Sequence, residues 1–333
     1  MNESRFRVLV TSSEMIPRAA EMLAAIGASL ETIAGKVTEA RLIEAVARPT
    51  QAIVMRGNPP ITRAVLEAAA PHLRVIAKPG AGVDSVDVKA ATEHGIPIMT
   101  AGYGNAPAVA EITIGFMLAL GRDIIRLDSR TRGGDWRRDD YNSSELSGRT
   151  LGLVGFGRIG RRVAELAKAF GMRVLVFTRT PAKVTPNLAE LAQSFDALLR
   201  EADYVSLHCP LDETTRGLLS REAIAAMRPG TFLINTGRGA LVDETALAQA
   251  LTSGHLAGAA LDTLKEEPPP SDNPLLSAPN LILTPHIAGL TTGAVQRTGT
   301  TTAANIIAVL TGGKIERANV ANPEVLERLK ARP

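Results

Sequence analysis

The chain has 333 residues, 45% hydrophobic and 21% charged, with aromatics at 3%; this supports two domain-sized cores, excludes a disordered chain, and leaves too few rings for a single-strand nucleic-acid platform. The formal net charge is +3, and Asp128, Asp135 and Asp139 interrupt or flank the densest basic stretch, from Arg126 to Arg138, so no sustained basic face points to nucleic acid. Cys209 is the only cysteine, which removes an internal disulfide and favours a reducing compartment.

Short β-branched runs alternate with Ala-rich helical stretches. Residues 6–10, 52–55, 75–78 and 96–100 read as strands, and 17–26, 38–47, 61–70 and 87–94 as helices. This βα alternation predicts a mostly parallel sheet. A long helix is expected from Ala108 to Leu127, with Pro107 in its first turn, Asn105 or Ala106 at its cap, and a break at Gly133-Gly134. Strand-like runs then recur at 150–154, 173–177, 204–207, 231–235, 257–261 and 281–283. Ser220 and Asp243 are set to cap helices, with Gly254 closing the second. Six such strands with crossovers make a doubly wound sheet. A last helix, 298–310, has no strand partner of its own and is a candidate to return to the first domain. MNESRFRVLV shows no signal peptide, and the longest apolar stretch, between Glu111 and Arg122, falls short of the ~20 residues a bilayer span needs. The expectation is a cytoplasmic protein with no membrane segment.

Residues 150–154 lead straight into Gly155-Phe156-Gly157-Arg158-Ile159-Gly160, and an amphipathic helix pattern follows. A lone GxGxxG is a weak signal; a strand before it and a helix after it make it a strong one. In that setting Gly155 permits the tight turn, Gly157 lets backbone approach a pyrophosphate, and Gly160 lets helix and strand pack closely. The helix start offers N–H groups and partial positive charge to phosphate. At the end of the next strand, where an Asp or Glu reading the 2′-hydroxyl marks NAD, stand Thr178, Arg179 and Thr180. A cation between two hydroxyls suits a 2′-phosphate. NADP(H) is therefore favoured, with NAD(H) as the alternative.

In open parallel sheets ligands bind beyond the carboxyl ends of the strands. Three successive strand-like runs end in reactive types: Thr236-Gly237-Arg238-Gly239, then Asp262 running on to Glu266-Glu267-Pro268, then Thr284-Pro285-His286. An arginine, a carboxylate and a histidine in one crevice suit hydride chemistry on a carbonyl. The cation holds a substrate carboxylate, the histidine exchanges a proton with the oxygen, and the paired carboxylate stabilises the imidazolium. His208 also follows a strand and competes with His286 for the acid role, and spacing does not separate Glu266 from Glu267. No tight His/Cys/Asp cluster suggests a metal, and no Gly-x-Ser-x-Gly elbow suggests a serine hydrolase.

Seven segments complete the pattern: GAGVDSVD (80–87), NAPAVAE (105–111), LGLVGFGRIG (151–160), HCPLDETTRGLL (208–219), MRPGTFLINTGRGALVDE (227–244), AALDTLKEEP (259–268) and LTPHIAG (283–289). With them the chain resembles, from about residue 50 to about 310, the D-isomer-specific 2-hydroxyacid dehydrogenase family, which includes glyoxylate/hydroxypyruvate reductases and phosphoglycerate dehydrogenases. The resemblance implies an α/β fold of two Rossmann-like doubly wound parallel-sheet domains with the active site in the cleft between them. Residues 1–102 plus 291–333 would form a discontinuous substrate domain, and 103–290 the dinucleotide-binding domain.

It also implies Arg238, Glu267 and His286 as catalytic residues, and Ala81 and Gly82 as the backbone that binds the substrate carboxylate, with Arg56 as a further substrate contact. Asp262 would lie near the nicotinamide, and His208 would line the cofactor. Val109, Arg158, Ile159, Cys209, Pro210, Thr215, Thr236, Gly237 and Gly289 would join Gly155, Gly157, Gly160 and Thr178–Thr180 around the dinucleotide. The helix after Pro107 resembles a segment used for homodimerisation. Glu267 departs from the Gln of formate dehydrogenases, no aromatic follows His286 closely as it often does in D-lactate dehydrogenases, and no regulatory domain is expected beyond the last helix. The implied activity is reduction of a small 2-oxo acid, of the glyoxylate/hydroxypyruvate type, to a D-2-hydroxy acid by NADPH. The alternatives are an NAD-dependent phosphoglycerate dehydrogenase, for which Lys78 and Arg56 would matter, and a dinucleotide-sensing corepressor-like protein.

Overall fold

The computed structural model describes residues 4–57, 59–139, 141 and 143–330. In chain order they form β1 (Phe6–Ser12), α1 (Pro17–Ala24), β2 (Ala28–Ala34), α2 (Glu39–Val46), β3 (Ala52–Val54), α3 (Arg63–Ala69), β4 (Val75–Lys78), α4 (Val88–Glu93) and β5 (Ile98–Thr100). Next come α5 (Ala106–Gly121), α6 (Ile124–Arg132), β6 (Thr150–Val154), α7 (Arg158–Ala169), β7 (Arg173–Phe177), β8 (Glu190–Leu191), α8 (Phe195–Glu201) and β9 (Tyr204–Leu207). The chain continues with α9 (Arg221–Ala226), β10 (Thr231–Asn235), α10 (Glu244–Thr252), β11 (Leu256–Leu261), β12 (Leu281–Leu283), α11 (Thr292–Thr311) and α12 (Val325–Lys330). Two compact units result: Met1–Asn105 with Leu290–Pro333, and Ala106–Gly289.

The first unit is built on a five-stranded parallel sheet in the order β2-β1-β3-β4-β5. Helices α2, α3 and α4 start where side chains take an orphan N–H: Thr38 accepts from Arg41, Thr62 from Val65 and Asp87 from Ala90. β3 and β4 are buried along their length, as strands covered on both faces must be. The last long helix belongs here. Ala303, Ile306, Val309 and Leu310 of α11 pack with Val8, Val10, Val75 and Met99. Beyond it Val320 pairs antiparallel with Met99, and the buried Asn322 accepts from Ile98 N at 2.8 Å and donates to Ile96 O at 3.0 Å. The C-terminal segment thus extends the β5 edge of the sheet.

The second unit holds a seven-stranded parallel sheet, β12-β11-β10-β9-β6-β7-β8, and the strand order reverses at β6/β9. Ser220 and Asp243 cap α9 and α10, accepting from Ala223 and Ala246, and Gly254 follows α10 at φ +73°.

Three features depart from the sequence-based expectation. β2 and β8 are additional strands; β2 mixes half-buried and exposed positions and β8 is two exposed residues, so neither carries a buried apolar run. The long helix expected up to Leu127 is two, because Asp123 takes a left-handed conformation at φ 50° and starts α6 afresh. α11 begins at Thr292, six residues before the expected start, since Thr291 caps it by accepting from Ala294 N. Among the described residues no helix is long and apolar enough to cross a membrane.

Candidate active site

Apart from Val109, which lies on α5, the candidate residues of the second unit follow the carboxyl ends of β6, β7, β9, β10, β11 and β12. After β6, Gly155 sits at φ +100° and donates its N–H to Phe177 O at 2.8 Å. A Cβ there would lie 2.8 Å from the backbone of His208 and Cys209. Gly160, within α7, would press a Cβ to 2.3 Å from Gly155 O, whereas at Gly157 a Cβ would meet nothing within 4 Å. The first and third glycines are required by protein packing, and the second fronts open space. Gly157 starts α7 without a side-chain cap. Open space before an uncapped helix start fits a dinucleotide pyrophosphate, with Arg158 and Ile159 in that first turn.

After β7, Thr178 accepts from Thr180 N at 3.2 Å, and Arg179 Nη1 donates to Asp212 Oδ2 at 2.7 Å. Asp212 comes from the segment after β9, and motif spacing did not single it out. Its Oδ1 accepts from Thr214 N and Oγ1 at 3.0 and 2.7 Å. The Thr214 hydroxyl above all, with Arg179 beside it, brings the Asp212 carboxyl down to about 2. Thr215 closes the same turn, donating to Pro210 O at 2.7 Å and accepting from Asp212 N at 2.8 Å.

His208 and Cys209 lie beneath the glycine loop. His208 Nε2 is 2.9 Å from the buried Ser206 Oγ, while Nδ1 is buried with no hydrogen-bond partner. Burial pushes the His208 pKa down to about 4, so the ring is neutral near pH 7 and unsuited to donate as an imidazolium. Burial also pushes the Cys209 thiol up to about 11, which leaves it a poor nucleophile.

After β10, the Asn235 side chain ties the Arg238 turn: Oδ1 accepts from Gly237 N at 3.0 Å and Nδ2 donates to Arg238 O at 2.9 Å. Arg238 Nη1 donates to Gly237 O at 2.8 Å. Thr236 Oγ1 is 3.2 Å from Thr113 Oγ1 on α5, whose hydroxyl donates to Val109 O. A Cβ on Gly239 would fall 1.9 Å from the carbonyl carbon of Leu264, so the Arg238 turn packs directly on the segment that carries Glu267.

Two carboxylates shape the histidine turn. Asp262, 1% exposed at the end of β11, accepts from Thr284 Oγ1 (2.6 Å), Ile287 N (2.8 Å) and Ala288 N (2.9 Å). Its backbone oxygen accepts from His286 N at 2.8 Å. These bonds surround His286, whose φ is 55°, a costly conformation for a residue with a side chain. Asp262 is therefore turned into the protein and anchors this turn; Thr284, named in the sequence only as the residue that opens the Thr284-Pro285-His286 segment, is its hydroxyl partner. Glu267 Oε1 accepts from Leu264 N at 3.1 Å and Oε2 lies 2.8 Å from His286 Nδ1. A carboxylate only accepts, so Nδ1 carries the hydrogen. Burial raises the Glu267 pKa, but the His286 bond, the Leu264 N–H and the nearby Arg238 outweigh it and hold the carboxyl below its usual value. No described residue bonds His286 Nε2, and Glu266 is exposed without such a partner. Gly289 follows at the end of the unit.

In the first unit Arg56 lies just beyond β3, next to the switch point between β1 and β3. Its N–H donates to Thr11 Oγ1 at 2.8 Å and its oxygen accepts from that hydroxyl at 2.9 Å. Ala81 and Gly82 lie in the loop after β4, where a Cβ on Gly102 would come within 2.6 Å of Ala81 Cβ. Lys78 donates to Gly57 O at 2.6 Å.

A sequence model described as the D-isomer specific 2-hydroxyacid dehydrogenase NAD binding domain matches residues 114–288. The D-3-phosphoglycerate dehydrogenase of Methanocaldococcus jannaschii is 40% identical over 292 residues, which cover 87% of this chain and 55% of that protein. The chain thus spans about half the length of that relative. The hydroxypyruvate reductase of Thermotoga maritima is 40% identical over 249 residues, 74% of this chain and 80% of that one. A glyoxylate reductase structure from Paecilomyes thermophila matches at a TM-score of 0.83 and 29% identity, covering 95% of this chain and 98% of the other. Two parallel sheets, a glycine loop at the switch point and these matches have one common account: the chain belongs to the D-isomer specific 2-hydroxyacid dehydrogenase family.

Proposed function

We propose that the protein reduces a small 2-oxo acid of the glyoxylate/hydroxypyruvate type to a D-2-hydroxy acid, preferring NADPH to NADH. The observation that carries this reading is the His286–Glu267 pair, 2.8 Å apart, with Glu267 on the segment packed against the Arg238 turn. A nicotinamide dinucleotide, when bound, supplies the hydride for C2 of the oxo acid. Its pyrophosphate would lie before Gly157 and the start of α7, with Thr178, Arg179 and Thr180 beside a 2′-phosphate.

His286 gives a proton from Nε2 to the carbonyl oxygen and recovers it in the reverse direction. Glu267 holds Nδ1–H, which fixes the tautomer, and its negative charge offsets the imidazolium. Arg238 orients the oxo acid through paired N–H donors and polarises the carbonyl. The backbone N–H groups of Ala81 and Gly82 bind the substrate carboxylate, with Arg56 as a further cation. Asp262 keeps His286 in its turn. We further propose that the protein is a cytoplasmic homodimer associating through α5 and its continuation. α6 has no buried residue and Ile124 and Ile125 are exposed, which supports an interface there.

The test is the initial rate of glyoxylate and hydroxypyruvate reduction with NADPH and, separately, NADH, for the wild type and His286→Asn. The expected result is turnover with a higher kcat/KM for NADPH, abolished in His286→Asn while dinucleotide affinity stays within a few-fold. Absence of turnover in the wild type, or full turnover in the variant, refutes the reading.

A further inference from the structure

β7 carries no carboxylate at its end, which is why Thr178-Arg179-Thr180 reads as a 2′-phosphate site. The structure brings a carboxylate to the same place by another route. β7 and β9 are the two neighbours of β6, so the segments after them stand on either side of the glycine loop, about 10 Å apart at ordinary strand spacing. Arg179 follows the first and Asp212 the second, and they meet at 2.7 Å. We infer that Asp212 is a specificity-determining residue that limits discrimination between the two nicotinamide dinucleotides: it keeps Arg179 when the adenosine carries a 2′-hydroxyl and must yield it to a 2′-phosphate. The inference rests on the reading that a dinucleotide binds at Gly155–Gly160, and it names the residue that opposes the proposed NADPH preference.

The chemistry follows from the two oxygens of Asp212. Oδ1 belongs to the loop, accepting from Thr214 N and Oγ1, and Oδ2 belongs to Arg179. The ion pair is largely exposed, so it is readily exchanged for a stronger partner. A 2′-phosphate carries up to two negative charges and accepts paired N–H groups from Arg179. It would, however, approach within several ångströms of a fixed carboxylate. Repulsion between such charges near a solvated surface weakens binding about three- to tenfold. A ribose with a free hydroxyl meets no such repulsion and leaves the pair intact.

Asp212→Asn separates the two functions. With its carbonyl in the Oδ1 position the amide keeps the loop bonds from Thr214, while an NH2 group replaces the oxygen that holds Arg179. The experiment is fluorescence titration of NADPH and NADH against the whole chain, for wild type, Asp212→Asn, Arg179→Gln and Glu213→Gln. Glu213 lies beside Asp212 and controls for a change in net charge alone. Asp212→Asn is expected to tighten NADPH about three- to tenfold, leave NADH within twofold, and lose this difference in 0.5 M salt, by roughly the screening expected there. Arg179→Gln is expected to weaken NADPH at least tenfold, and Glu213→Gln to change neither cofactor. Unchanged or weaker NADPH binding in Asp212→Asn overturns the inference, as does an equal gain in Glu213→Gln. If the wild type binds neither dinucleotide, the cofactor reading falls and the inference with it; normal binding with an unaltered ratio removes Asp212 alone.

Discussion

Asp262→Ala tests how the histidine turn is held. The carboxylate is 1% exposed and accepts from one hydroxyl and two backbone N–H groups. Truncation leaves Ile287 N and Ala288 N without their acceptor, and Ala288 is itself buried. A buried donor left unsatisfied costs about 1–3 kcal/mol. The Ala288 N–H is such a donor; with partial losses from the exposed Ile287 and the half-buried Thr284, the expected cost is about 2–4 kcal/mol, the upper range for a single substitution. Asp262→Asn keeps one acceptor and should cost about 1–3 kcal/mol, since it loses the charge-assisted strength and turns an NH2 toward a donor. Because His286 holds φ at 55° only within this network, the alanine variant should also let the turn relax. Its kcat should fall more than tenfold, with a smaller change in dinucleotide affinity. Denaturant unfolding of the three proteins, with amide exchange at Ile287 and Ala288 as the local readout, tests the order. A loss below about 1 kcal/mol for alanine, or full kcat with accelerated exchange, would refute this account of the turn.

Gly160→Ala places a Cβ 2.3 Å from Gly155 O and should lower dinucleotide affinity at least tenfold by displacing the glycine loop; a fluorescence titration matching the wild type would remove that steric argument. In the folded chain burial holds His208 at a pKa of about 4, below the ordinary imidazole value of about 6.5. Its contribution to stability is therefore whole above about pH 6.5 and is lost as the pH falls toward 4, by about 1.4 kcal/mol per unit and about 3 kcal/mol in all. His208→Gln should flatten that acid slope in urea unfolding measured from pH 7 to 4.5, and an identical slope in both proteins would contradict it. Arg238→Ala should lower kcat/KM by orders of magnitude while moving Tm by only a few degrees, because Asn235 grips the turn through backbone groups that the substitution leaves in place. Near-normal turnover would remove Arg238 from the mechanism.

Much of the architecture was legible from periodicity because parallel strands buried on both faces are continuous apolar runs. β3, β4, β9 and β6 stood out for that reason. β2 did not, since an edge strand reading ASLETIA half-buries only Ala28, Leu30 and Ile33 and leaves the other positions to water. Nor did the break at Asp123, where one left-handed residue divides a continuous helical pattern. The glycine loop was readable to the individual residue, because each glycine answers a separate steric demand within a few positions. Asp212 was not, since its relation to Arg179 depends on two segments brought together by strands on opposite sides of β6.

Asp262 and Glu267 show the limit most sharply. They stand five residues apart on the one segment that follows β11, and composition offers no way to tell which would serve the histidine. Environment separates them. Asp262 has three donors closing on it and a backbone oxygen bonded to His286 N, so its charge is consumed in holding the turn. Glu267 has one backbone N–H on one oxygen and the imidazole on the other, partly open to solvent. A carboxylate that must offset an imidazolium needs an oxygen reserved for the ring nitrogen, and only Glu267 has one. Two like groups thus acquire different tasks, one setting where the imidazole stands and the other which of its nitrogens carries the hydrogen.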